Sequence, residues 1–152
     1  RALVRSLGRR GPRCAGPTRS GPPRGGPGAA LWTVAAVGAM AAILLVSSIP
    51  GDRRIEVGGR VVVVPPTLQN LLHVPVYAVL CALWWRALRG WGLRAALPWA
   101  AAIAVTYGIL DEVHQAFVPG RYASVADALL NAGGVSLAAA LLRRRQRASG
   151  PT

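Results

Sequence analysis

The chain has 152 residues, 53% of them hydrophobic, and a formal net charge of +13 from 18 arginines against five acidic residues, with no lysine. An ordinary soluble domain carries about 25% charged residues; here the figure is 15%, and those residues bunch at the ends and loops, as in a membrane protein. Two cysteines, Cys14 and Cys81, exclude a disulfide scaffold or cysteine-rich zinc site, and arginines that flank apolar runs without base-reading neighbours speak against nucleic-acid binding.

Residues 1–28 hold seven arginines among Gly-Pro steps and show no apolar periodicity. Such a segment cannot bury enough surface to offset its ordering entropy, so a disordered tail is expected. The chain opens on Arg1 rather than Met, the mark of a fragment or a shifted start. A basic tail before an apolar run also suits a signal peptide, but the run that follows is too long for one, and a retained anchor is expected.

No charge occurs between Arg24 and Asp52, and Ala30 to Ser48 is long enough to cross about 30 Å of hydrocarbon at about 1.5 Å per residue. This is the first expected span. In the next loop, Arg54 to Val57 and Arg60 to Val64 flank Gly58-Gly59, a two-residue hairpin signal, and Pro65-Pro66 ends the second strand. The second span has Leu71 to Trp85 as its apolar part, with Cys81 packing as a small hydrophobe. The third runs from Ala95 to Leu110 and the fourth from Ala128 to Leu142. Both fall short of about 20 residues, which places Asp111, Glu112, His114, Gln115 and Asp127 at the membrane boundary rather than free in water.

Fourteen arginines fall on one side of this arrangement, and Arg53, Arg54, Arg60 and Arg121 on the other. The positive-inside rule then puts both termini in the cytoplasm. The expected fold is an all-α, four-helix transmembrane bundle, N-in and C-in, with a small β-hairpin in the first outward loop. Its expected organisation is a tail over 1–28, a four-span domain over 29–143 and a basic cytoplasmic tail over 144–152.

That topology brings the chemically capable side chains to the outer leaflet. Helix two enters with His73, helix three leaves with Asp111, Glu112, His114 and Gln115, and helix four re-enters with Asp127 and Asn131. Asp111 and Gln115, like Asp127 and Asn131, are four residues apart and share a helix face. Ionisable residues within membrane segments are functional candidates by default. Either Ser124 or Asp127 can cap helix four, whereas Asp111 and Glu112 sit at the wrong end of helix three to gain from its dipole. Arg121 lies in the turn set by Pro119-Gly120. Its fork suits a carboxylate, in a salt bridge to Asp111 or Asp127, or a phosphate of a lipid or ligand. For His73 the choices are general base, metal ligand or buried hydrogen-bond partner.

The stretch Tyr107 to Gly134 resembles the signature of VanZ-like membrane proteins: an acidic pair (Asp111-Glu112), Gln115, Phe117, Pro119-Gly120-Arg121, Ser124, Asp127, Asn131 and Gly133-Gly134 in that order. Ser47-Ser48-Ile49-Pro50, Leu72-His73 and Tyr77 look like further landmarks, so the likeness covers residues 31 to 142. One departure is Gln69-Asn70, where the family often has Asp-Lys. The resemblance implies a four-span bacterial plasma-membrane protein of a family named for low-level resistance to the glycopeptide teicoplanin, with no settled biochemical activity.

Three functions compete. The first is binding of an amphipathic, lipid-linked or glycopeptide ligand through Arg121, Gln115, Asp127, Asn131 and Ser124, with membrane lipid as the other partner. The second is a membrane-embedded hydrolase or transferase with Asp111, Glu112 and His73 as catalytic candidates, including a version with a divalent metal on Asp111, His114, His73 and Asp127. No zincin pair or nucleophile elbow supports the second, so no cofactor and no metal ligand is assigned. The third is structural, the polar set tying helices together while small residues near Gly133-Gly134 allow close packing within or between chains. The sequence leaves the oligomeric state open.

Overall fold

A computed structural model describes residues 25–50, 55–57, 60–62 and 66–148. It contains four helices, α1 (Pro27–Ser47), α2 (Pro66–Gly90), α3 (Ala96–Gln115) and α4 (Val125–Ala148), with strands β1 (Ile55–Val57) and β2 (Arg60–Val62) between α1 and α2. All four helices are long and apolar enough to cross a membrane, the qualifying part of α2 being Asn70–Gly90. The expected disordered tail lies outside the described residues, except that α1 begins at Pro27, whose fixed φ suits a first helical turn. The expected strands are shorter than their sequence runs but pair antiparallel as a hairpin, Ile55 opposite Val62 and Val57 opposite Arg60. That register is the one a two-residue connection demands; Gly58-Gly59 itself lies outside the described residues.

The third and fourth spans are not short. α3 continues through Asp111 to Gln115, and α4 starts at Val125, before Asp127, and runs on through the arginines to Ala148. Helix formation therefore carries the polar residues inside the two elements, where their backbone groups are bonded within the helix or, for the Asp127 N–H, to the capping Ser124 hydroxyl, as a membrane requires.

The core is narrow and built from small residues. Tyr77, Leu80 and Cys81 of α2, Ala100 and Ala104 of α3, and Val135 and Ala138 of α4 are buried together. Cys81 is a free thiol packed in this cluster, as expected of a small hydrophobe. Alanine and glycine let backbones approach closely where lipid offers no hydrophobic drive between helices. One such close approach of backbones is at Gly134, where an added methyl would collide with the carbonyl oxygen of Val74 on α2. Large apolar side chains such as Leu45, Val79, Ile109 and Leu141 instead face outward, where lipid takes them at no cost.

α1 packs at the edge, and side-chain bonds fasten it. At one end Trp91 Nε1 donates to Thr33 Oγ1 at 3.0 Å, and the Arg86 guanidinium lies over the Trp32 ring at 4.5 Å. In its second half the Tyr107 hydroxyl of α3 donates to the Met40 carbonyl. The antiparallel order puts the α1 C-terminus, α2 N-terminus, α3 C-terminus and α4 N-terminus at one end of the bundle. Arg86, Arg89, Arg94, Arg143, Arg144, Arg145 and Arg147 lie toward the opposite end.

Candidate functional site

The end away from the arginines holds a connected polar cluster drawn from α2, α3, α4 and the turn between the last two. Its centre is the paired carboxylates of α3. Asp111 and Glu112 are neighbours in sequence and both are buried, 4% and 5% exposed. About 100° of helix separates them, so each serves a different set of partners.

Asp111 turns toward α2. Its Oδ2 accepts from the Tyr77 hydroxyl at 3.3 Å and from Gln115 Nε2 at 3.1 Å. Gln115 passes the contact outward, its Oε1 accepting from Arg121 Nη1 at 3.3 Å. Arg121 spends two more donors on the end of α1, Nε on the Ile49 carbonyl at 3.0 Å and Nη2 on that of Val46 at 3.4 Å. Among the described residues Arg121 makes no ion pair with Asp111 or Asp127. Carbonyls at a helix C-terminus carry partial negative charge that favours a cation, which suits the fork's place against the end of α1.

Glu112 turns toward α4. Its Oε2 accepts from the Ser124 backbone N–H at 3.2 Å, and its Oε1 stands 4.0 Å from His73 Nδ1. Ser124 is the cap of α4, its Oγ accepting from the Asp127 N–H at 3.3 Å. In a full capping box the acidic residue at the third helical position would reach back to the Ser124 N–H; Glu112 has taken that donor, and the Asp127 carboxylate is left for the cluster. His73 Nδ1 bonds Asn131 Oδ1 at 2.8 Å, and Asn131 Nδ2 donates to the Gly108 carbonyl at 3.5 Å. Gly108 has no side chain to keep Asn131 and Tyr77 away: an added Cβ would lie 3.1 Å from each.

The result is an excess of acceptors. Among the described residues, Oδ1 of Asp111, Oε1 of Glu112 and Oδ1 of Asp127 are each buried without a hydrogen-bond partner, although buried polar groups are almost always paired. His73, Glu112 and Asp127 each bring one ligand-type atom to within 4.8 Å of the others. Two clefts lie at the other end of the bundle, lined by residues such as Trp85, Arg89 and Arg145. They hold none of these carboxylates.

The sequence-derived residues His73, Asp111, Glu112, Gln115, Ser124, Asp127 and Asn131 thus meet, with Arg121 attached through Gln115. His114 does not join them; its Nε2 lies 2.9 Å from Ser48 Oγ, on the side of α1. Tyr77 is the residue whose part in the cluster sequence reasoning missed. The available signal was its spacing, one turn after His73 on α2, and the two rings lie parallel with centroids 6.3 Å apart. Beside the cluster, Phe117 and Tyr122 are 82% and 88% exposed.

Among known proteins, the VanZ/LLP1 family model matches residues 32–146. No curated protein and no solved structure matches the chain.

Proposed function

The chain belongs to the VanZ/LLP1 family, and from that premise we propose that this multi-pass protein works in the bacterial plasma membrane, its polar end outward, as a receptor for the headgroup of an amphipathic, lipid-linked cell-envelope ligand. The observation that carries the proposal is the set of three buried carboxylate oxygens without partners among the described residues, at one end of a bundle whose sides are apolar. An unsatisfied buried acceptor costs about 1–3 kcal/mol, more if charged. Donors on a ligand would recover that cost, and sugar hydroxyls or an ammonium group have the right polarity. Phe117 and Tyr122 are amphipathic or apolar rings at interface depth, placed to flank a lipid chain while its headgroup enters. Arg121 holds Gln115 and the chain at the end of α1 in place.

The test is glycopeptide susceptibility of a strain expressing the full chain. Expression is expected to raise the teicoplanin concentration needed to stop growth, and Arg121→Ala and Asp111→Asn are expected to return it to the vector level at equal membrane abundance. Equal susceptibility of Arg121→Ala, Asp111→Asn and wild type would remove the reading. A second reading, a hydrolase or transferase with Asp111 or Glu112 as base and His73 beside it, is favoured by the free Oε1 of Glu112 at 4.0 Å from the imidazole. Headgroup release from a lipid-linked substrate by the purified protein, lost in Glu112→Gln, would select it.

A further inference from the structure

We propose that His73, Glu112 and Asp127 form a divalent-cation site, one ligand from each of α2, α3 and α4. The site lies in the cluster read above as a headgroup receptor; what the cation does there rests on that reading, whereas its binding does not. Glu112 is 5% exposed, its Oε2 is fixed by the Ser124 N–H, and its Oε1 has no hydrogen-bond partner. Asp127 Oδ1 is buried and unpartnered as well, because Ser124 caps α4 through its own hydroxyl. Two carboxylate oxygens and an imidazole nitrogen within 4.8 Å of one another need only a small contraction to share one ion, since ligands at about 2.1 Å from a metal stand about 3–4 Å apart.

No protein cation among the described residues does this work instead. The three bonded donors of Arg121 go to Val46, Ile49 and Gln115. His73 gives its Nδ1 hydrogen to Asn131 Oδ1 at 2.8 Å rather than to Glu112 at 4.0 Å. The Asn131 oxygen can only accept, so the neutral ring carries its hydrogen on Nδ1 and keeps a lone pair on its other nitrogen. The nitrogen that faces Glu112 is therefore the protonated one, and an ion bound there takes the place of that hydrogen, which passes to solvent as the Asn131 bond breaks. Mixed imidazole and carboxylate donors suit a first-row ion such as Mn2+ or Zn2+ better than Ca2+, which prefers oxygen throughout. Three ligands leave positions open, and a hydroxyl oxygen of a sugar headgroup can bind through them.

Mn2+ titration of the purified, untagged full chain in non-ionic detergent, followed by electron paramagnetic resonance, tests the site. One saturable site displaced by Zn2+ is expected. Glu112→Gln and Asp127→Asn are expected to weaken it by about tenfold or more, and His114→Gln not at all. Absence of saturable binding in wild type overturns the proposal without recourse to any variant; so does unchanged binding in monodisperse Glu112→Gln and Asp127→Asn. Intact Mn2+ binding with no susceptibility effect removes the headgroup reading alone. The reverse outcome removes the cation alone.

Discussion

At the scale of single residues, the adjacent acids Asp111 and Glu112 divide the cluster into a half that faces α2 and a half that faces α4, each acid with one bonded and one unpartnered oxygen among the described residues. Asp111 is bonded by Tyr77 and Gln115, so its loss should be felt first as instability. Tyr77→Phe keeps the ring in the core but removes the donor to a buried carboxylate, at a cost of about 2 kcal/mol, read as a lower unfolding midpoint in detergent. The Arg121 fork reaches three acceptors on α1 and α3. Arg121→Lys keeps the charge and offers one point in place of the planar fork, so the α1 end should loosen. Faster hydrogen exchange around Ile49, with α2 and α4 unchanged, would show it; exchange at the wild-type rate would mean the bonds do not hold α1.

Among the elements, the decisive contact is α4 against α2 at Gly134. A side chain there meets the Val74 backbone, which cannot yield as a flexible side chain would. Gly134→Ala should cost about 1–3 kcal/mol by overpacking and displace His73, one residue before Val74, from Asn131. Gly133→Ala, where nothing lies within 4 Å, should leave thermal stability in detergent near the wild-type value. The turn before α4 has its own constraint: Arg121 N–H bonds the Val118 carbonyl and Gly120 has φ 73, the third position of a type II turn. Gly120→Ala would strain it by about 1 kcal/mol and shift Arg121. Much of this was legible. Charge-free runs located four spans, Gly58-Gly59 predicted the hairpin, and the i, i+4 pairs gave the faces that meet. Helix ends were not legible for α3 and α4, because hydropathy drops at Asp111 and before Ala128 while backbone bonding continues through both. The partners of Arg121 and His114 were not legible either, since helix-end carbonyls and Ser48 compete for them and leave no trace in spacing.

For the whole molecule, the two ends of the bundle differ in kind, and that difference predicts its orientation. One described end is arginine-rich, with cation and aromatic paired at Arg86 and Trp32; the other carries three carboxylates with unpartnered oxygens. Retaining arginine on the cytoplasmic side, where anionic lipid adds about 1 kcal/mol of attraction per charge, turns the acidic cluster outward. A single cysteine at the exposed positions Phe117 or Tyr122, in a Cys14→Ser, Cys81→Ala background, should then react with a membrane-impermeant maleimide added to intact cells. A cysteine replacing Ser149 should react only after lysis. The opposite pattern would place the cluster in the cytoplasm, where an outer-leaflet ligand cannot reach it. The cation site would survive such a result, because its three ligands are set by helix packing and not by which compartment they face.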